Sequence, residues 1–273
     1  MVELQKLSDS DILFRSWESP APKAAFLLVH GIGAHSARWD FLAEYFLKQG
    51  FSSYAIELKG FGETQDRPQG HIDNYGIYYE DLRQLALHIK QKNPGRKIFI
   101  VGESLGAFFA LYSALVYPEL YDGLICVSPA FKNAIAFSLL DYLFFLPNFI
   151  FNPTKLIRLN FNLGMCTRDR DYVKKMENDP REIRQASVKL LANFLLTVPR
   201  VKRMLKKINL PMLFLLAGID YLVDPRASKK MFGQIRLKDK RLIEYPEMYH
   251  ALSIELGREK VFADILNWIE PRL

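Results

Sequence analysis

Residues 99–114 read FIVGESLGAFFALYSA. The apolar run Ile98–Val101 leads into Gly102-Glu103-Ser104-Leu105-Gly106, and Ala107–Ala114 continues as a small-residue, helix-forming stretch. A Gly-x-Ser-x-Gly pentapeptide between a strand and a helix is the pattern of a nucleophile elbow, a tight turn that holds a serine in a strained conformation with its oxygen exposed. The flanking glycines leave room where side chains would collide with the neighbouring strand and helix. The pentapeptide alone is a weak signal. Its setting is what makes Ser104 a candidate nucleophile. A serine hydroxyl is a poor nucleophile at neutral pH, so the pattern demands a base, and an acid to orient it.

The surrounding chain supplies a scaffold for such an elbow. Apolar, β-branched or aromatic runs at 24–31, 52–58, 97–102, 121–129, 211–218 and 241–246 alternate with helical patterns. Their near-continuous hydrophobicity suits parallel strands buried on both faces. Residues 1–20 are expected to add an antiparallel edge hairpin turning at Ser8–Asp11. Helical patterns at 39–50 and 75–94 end on Gly50 and Asn93-Pro94, and the chain closes on the amphipathic VFADILNWIEPRL. About eighty residues separate the fourth and fifth runs, far more than a crossover needs. Residues 130–210 therefore read as a helical cap inserted into a core of 1–129 and 211–273.

Five histidines are available as the base. Only His250 lies between the last strand and the last helix. His88 falls in a helical pattern, His71 in a polar loop, and His30 in a loop placed for backbone donation. The acid should end the preceding strand, where Asp220 and Asp224 compete. Asp220 directly follows the strand run and is read as the acid. Asp224 precedes a proline and a helix and reads as an N-cap. The order Ser104, Asp220, His250 is that of an α/β-hydrolase. The oxyanion donors should be the N–H of Leu105, at the start of the elbow helix, and of Ile32, in the loop after the first long parallel strand. Glu103 admits two readings: a carboxylate tuning the nucleophile, or a paired structural residue, which is preferred.

The resemblance now has enough residues to rest on. His30-Gly31-Ile32-Gly33-Ala34-His35-Ser36-Ala37-Arg38-Trp39 is similar to the pattern HGxGEHSxRY, and Gly60-Phe61-Gly62-Glu63-Thr64 to GHGxS. With the elbow, Thr167-Arg168-Asp169, Asn178-Asp179-Pro180 and the final Tyr-His loop, the chain resembles the monoacylglycerol lipase and lysophospholipase group of α/β-hydrolases, the serine aminopeptidase-like family. The likeness covers most of the chain and weakens over 131–165. Glu103 stands where the group commonly has His, Ala107 where it has Gly, Ala34 where it has Glu and Phe61 where it has His. No triad or oxyanion position is lost.

The resemblance implies a serine hydrolase acting on carboxylic esters of single-chain lipids. A thioesterase or aminopeptidase of the same fold, and a non-catalytic binding protein, are the alternatives. The greasy segment Ala136–Phe151 supports a lipid. Its Phe and Leu side chains either face an acyl chain or fill the cap's own interior. At 16 residues, with Asp141 and Pro147 inside, it is too short and too interrupted to span a bilayer.

Composition bounds the rest. The chain has 273 residues, 49% of them hydrophobic, and a formal charge of +7. That charge invites a nucleic-acid reading, but no nucleic-acid motif appears. The dense basic stretch Arg200–Lys207 reads as a solvated helix face, and a transient membrane-surface contact through the cap is the expected partner interaction besides the lipid ester. Cys126 and Cys166 form no disulfide framework or metal-like spacing. No cofactor is expected. The polar N-terminus does not resemble a signal peptide, so a cytoplasmic protein, peripheral at a membrane surface, is expected.

Overall fold

The six apolar runs are strands β3 (Ala24–Val29), β4 (Ser52–Glu57), β5 (Lys97–Glu103), β6 (Gly123–Val127), β9 (Met212–Ala217) and β10 (Lys240–Tyr245). In the computed structural model, which describes residues 2–132, 147–159 and 161–273, they run parallel in one sheet. The edge hairpin β1 (Gln5–Lys6) and β2 (Leu13–Trp17) completes an eight-stranded order β1-β2-β4-β3-β5-β6-β9-β10, with β2 antiparallel to β4. The mostly parallel sheet covered by helices is the α/β-hydrolase fold expected from the sequence.

Why the strands read as unbroken apolar runs is visible in the packing. Ala25, Leu27, Val29, Ile98, Ile100, Leu124 and Phe214 join one core layer. Their chain neighbours Ala24, Phe26, Leu28, Phe99, Val101, Ile125 and Leu213 join the other. Side chains alternate between faces along a strand, so burial of both faces leaves few polar positions in the central strands. Helices α2 (Gly76–Lys92) and α3 (Leu105–Val116) cover the first face, and α1 (Asp40–Lys48) and α7 (Arg258–Ile269) the second.

Between β6 and β9 the described residues hold α4 (Arg170–Glu177), α5 (Val188–Met204) and a short antiparallel pair, β7 (Leu156–Arg158) with β8 (Gln185–Ser187). The pair departs from a purely helical insertion. It is too short for periodicity to reveal. Much of the greasy segment, residues 136–146, lies outside the described residues. Helix α5 rests on the core: the Tyr75 hydroxyl donates to the Leu190 carbonyl at 2.8 Å, and Phe194 meets Phe108 edge-on at 5.1 Å. Helix α6 (Pro225–Gln234) follows β9.

Parallel strands carry their C-terminal ends to one edge of the sheet. The registers Val29↔Gly102, Glu103↔Val127, Val127↔Leu215 and Ala217↔Tyr245 align the ends of β3, β5, β6, β9 and β10. The loops bearing Ile32, Ser104, Asp220 and His250 all leave from that edge, the usual place for ligands in open α/β sheets.

The approach of α3 to β3 is close enough to test. A Cβ on Gly106 would lie 2.2 Å from the Val29 carbonyl oxygen, and one on Gly102 2.3 Å from that of Gly106. Neither neighbour is a side chain able to swing away. Gly106→Ala should therefore cost about 3 kcal/mol or more, lowering Tm by about 6 °C or more in a thermal melt. An unchanged Tm would contradict this packing.

Candidate active site

At the end of β5 the chain reverses into α3 through Ser104, whose φ of 58° and ψ of −122° are rare for a residue with a side chain. Such a conformation costs about 1–3 kcal/mol and persists only when its surroundings hold it. Here the Ser104 N–H donates to the Val127 carbonyl at 2.9 Å, and the Ser104 carbonyl accepts from Ala107 and Ala130. Gly31 presses against the turn, where a Cβ would lie 3.0 Å from that of Ser104.

His250 follows β10 and is buried. Its Nδ1–H donates to Asp220 Oδ2 at 2.8 Å, while Asp220 Oδ1 accepts the Leu222 and Val223 N–H groups at 2.9 Å each. Asp224 does something else. It caps α6 through the Arg226 N–H and pairs with Arg226 and Lys132. Burial tends to lower the His250 pKa, but the charge of Asp220 and its hydrogen bond outweigh that and raise it above the ordinary imidazole value. With Nδ1 committed to Asp220, Nε2 is the nitrogen left to accept a proton.

Ser104, His250, Ile32 and Leu105 line one cavity of about 270 Å³. A single water needs only about 10–15 Å³. Leu105 is the first residue of α3, where N–H groups have no partner inside the helix. Among the described residues no carbonyl takes the N–H of Leu105 or of Ile32. The cavity thus offers a hydroxyl, an imidazole nitrogen and two free amide donors. Apolar side chains from the segment after β6 complete its wall, among them Ile157, Leu159, Phe161, Leu190, Leu191 and Phe194.

That wall bears on one expectation. The described part of the greasy segment does not line the cavity: Phe149, Ile150 and Phe151 are 36%, 63% and 84% exposed. Among the described residues the apolar lining after β6 comes largely from β7, the residues just after it and α5, which sequence reading passed over. The signal was present in α5, where Leu190, Leu191 and Phe194 recur at helical spacing.

The other histidines stay outside this chemistry. His30 Nδ1–H donates to the Gly31 carbonyl and Nε2 accepts the Leu58 N–H; burial lowers its pKa to about 4, keeping it neutral. His88 packs on Phe14, and His71 hydrogen-bonds Ser187. Glu103 takes its structural reading. Its carboxylate accepts the Ser253 N–H at 3.0 Å and hydroxyl at 2.7 Å, tying the elbow to the loop that carries His250. Burial raises its pKa, and the Ser253 hydrogen bonds oppose that rise.

A further brace was not foreseen. Arg38 grips Glu182 with two hydrogen bonds, and the next residue, Ile183, donates its N–H to the Gly33 carbonyl at 2.9 Å. Burial works against the Glu182 charge, but Arg38 prevails and holds its pKa at about 2. The loop carrying Ile32 is thereby fastened to the segment that walls the cavity. Arg38 and Asn178-Asp179-Pro180 were both visible in the sequence motifs. Their proximity was not.

The family described as serine aminopeptidase, S33, matches residues 20–257. Monoglyceride lipase of Rattus norvegicus is 28% identical over 274 residues, covering 97% of this chain and 89% of that protein. Among solved structures, a soluble variant of monoglyceride lipase from Saccharomyces cerevisiae, in complex with a substrate analog, superposes with a TM-score of 0.87 at 20% identity, covering 100% of this chain and 95% of that one. Paleococcus ferrophilus monoacylglycerol lipase gives 0.84 at 23% identity, covering 97% and 100%. At such identities the structural likeness is one of fold.

Replacing Glu103 by Ala would leave the buried Ser253 N–H and hydroxyl without an acceptor, at about 1–3 kcal/mol for each. Urea unfolding of Glu103→Ala should show a lower midpoint at an unchanged m-value, and Glu103→Gln, which keeps one acceptor oxygen, should recover part of the loss.

Proposed function

We propose, for a chain that belongs to the serine aminopeptidase (S33) family and is a carboxylic-ester hydrolase of the α/β-hydrolase fold, that it cleaves esters of single-chain lipids of the monoacylglycerol or lysophospholipid type. The reading rests on one observation above the others: the His250–Asp220 hydrogen bond lies at the cavity that Ser104 opens onto, under an apolar wall. The similarity to monoglyceride lipases supports the same substrate class.

In this mechanism Ser104 Oγ attacks the ester carbonyl as His250 Nε2 takes its proton. Asp220 holds the imidazole in the required tautomer and stabilises the imidazolium. The Ile32 and Leu105 N–H groups receive the developing oxyanion. His250 then protonates the leaving alcohol, and water repeats the sequence on the acyl-enzyme. Protein groups and water supply each step. Residues 130–210 serve as the cap, whose Leu159, Phe161, Leu190 and Phe194 take the acyl chain.

An aminopeptidase would need a free carboxylate for the substrate's ammonium. The carboxylates among the described lining residues, Glu103 and Glu182, are held by Ser253 and Arg38. That favours the ester reading. No helix among the described residues is long and apolar enough to cross a membrane. Exposed Phe149–Phe151, Leu195 and Leu196 support a transient contact with a membrane surface.

A fluorophosphonate probe should label the protein and fail to label Ser104→Ala; no labelling of either would overturn the nucleophile. Against p-nitrophenyl esters, kcat/KM should rise from acetate to medium or long acyl chains, and a preference for acetate would remove the lipid. Asp220→Asn should lower kcat by about 10³–10⁴-fold, while Asp224→Asn should leave it nearly unchanged; equal losses would reassign the acid. The base acts only when neutral, so kcat/KM should fall as pH drops through the raised His250 pKa, above the ordinary value of about 6.5. In Asp220→Asn that limb should move to lower pH, because burial then acts on His250 without the opposing charge.

A further inference from the structure

Among the described residues, the charged side chains that line the cavity are Arg38, Glu103, Arg158, Glu182, Arg184 and His250. Four of them are already committed. Arg38 and Glu182 neutralise each other, Glu103 accepts from Ser253, and His250 is bound to Asp220. Arg158 and Arg184 are different. Both are exposed, and among the described residues neither side chain has an ion pair or a hydrogen bond. No carboxylate of the described lining pairs with them, so two guanidiniums of the described lining are left unpaired.

Their position relates them to the reacting end. Arg158 ends β7, and Arg184 lies just before β8, its carbonyl accepting the Leu159 N–H at 3.0 Å. Continuing the β7–β8 register, Arg184 shares a ribbon face with the cavity residues Ile157 and Leu159. It also directly follows Ile183, whose N–H braces Gly33 beside the oxyanion donor Ile32. Arg184 is thus joined by register to the apolar wall and by sequence to the brace on the oxyanion loop. A guanidinium offers a planar fork of donors matched to phosphate oxygens.

Resting on the esterase reading above, we propose that Arg184, assisted by Arg158, selects single-chain lipid esters whose alcohol side carries a phosphate, so that lysophospholipids are preferred to neutral monoacylglycerols. Arg184 binds the phosphate of the leaving alcohol while the acyl chain lies against Leu159, Phe161 and Phe194, and Arg158, on the opposite ribbon face, contributes its charge alone. A neutral glycerol leaves both guanidiniums without a partner and gains nothing from their field.

The test compares lysophosphatidylglycerol, lysophosphatidylcholine and monoacylglycerol with one common acyl chain, presented in neutral detergent micelles so that surface charge does not vary. The ratio of kcat/KM for lysophosphatidylglycerol over monoacylglycerol should exceed about ten at low ionic strength and shrink as salt is added. Arg184→Ala should cut that ratio about tenfold, and Arg158→Ala together with Arg184→Ala should bring it near one. Lysophosphatidylcholine, which has the phosphate but no net charge, should fall between the two. A wild-type ratio at or below one, or a ratio unmoved in the double variant, would overturn the proposal. Should none of the three esters be cleaved, the esterase reading fails. The rim is then judged by equilibrium binding of the same lipids to Ser104→Ala protein. Tighter binding of lysophosphatidylglycerol that the double variant loses supports it, and equal affinities overturn it.

Discussion

The close approach of α3 to the end of β3 is the constraint on which the site depends. With no side chain at Gly106, the helix backbone reaches the carbonyls of Val29 and His30. The same clearance at Gly102 lets the chain leave β5 and turn at once into α3. Between them Ser104 is forced to φ 58°, with hydrogen bonds from neighbouring strands holding it there. The turn also places the open N-terminus of α3, with the Leu105 N–H, against the loop of Ile32. Strain, oxygen exposure and amide donors therefore share one origin, a strand and a helix packed too tightly for any residue but glycine.

A second layer of order comes from buried and partly buried charges that pair with one another. Arg15 meets Glu57 and Glu63, Arg181 meets Glu63 and Asp179, and Arg38 meets Glu182. The chain pairs residues 15–63 with 179–182, across more than a hundred positions of sequence. Buried ion pairs contribute little net stability, because desolvation offsets much of their attraction, yet breaking one leaves a costly orphan. Their consequence here is geometric. They fix the segment after β6 over the strand ends, so the wall of the cavity and the loop of Ile32 hold their places relative to each other. Glu255 acts alike on the other side, accepting from Arg168 and from the Tyr249 N–H beside His250.

Neutralisation of these groups also shapes what the cavity presents. Carboxylates near the site are consumed by arginine or serine partners, and the charge left over is positive. The same bookkeeping separates an ester site from an amine-binding one and brings Arg158 and Arg184 forward. Charge in a cavity is a difference between what lines it and what is already paired.

Much of the fold was legible in the sequence because its strands are buried on both faces, which writes them as apolar runs that alternate with helices. The elbow was legible because tight packing leaves no substitute for Gly102 and Gly106. Chain order made Asp220 and His250 candidates, since each follows a strand whose end must reach one edge of a parallel sheet. Sequence preferred Asp220 to Asp224 and a structural role for Glu103, without showing what either side chain meets. Those choices depend on where a side chain points. Asp220 turns inward to Nδ1 of His250 while Asp224 caps a helix, and Glu103 reaches Ser253, 150 residues away. The cavity wall was least legible, because β7 and β8 are three residues each and pair across 27 to 31 positions, too short for periodicity and too distant for local pattern. Local chemistry determined which residues are able to act; only the tertiary structure decided which of them meet, because hydrogen bonds and ion pairs between distant segments are set by packing and not by neighbours in the chain.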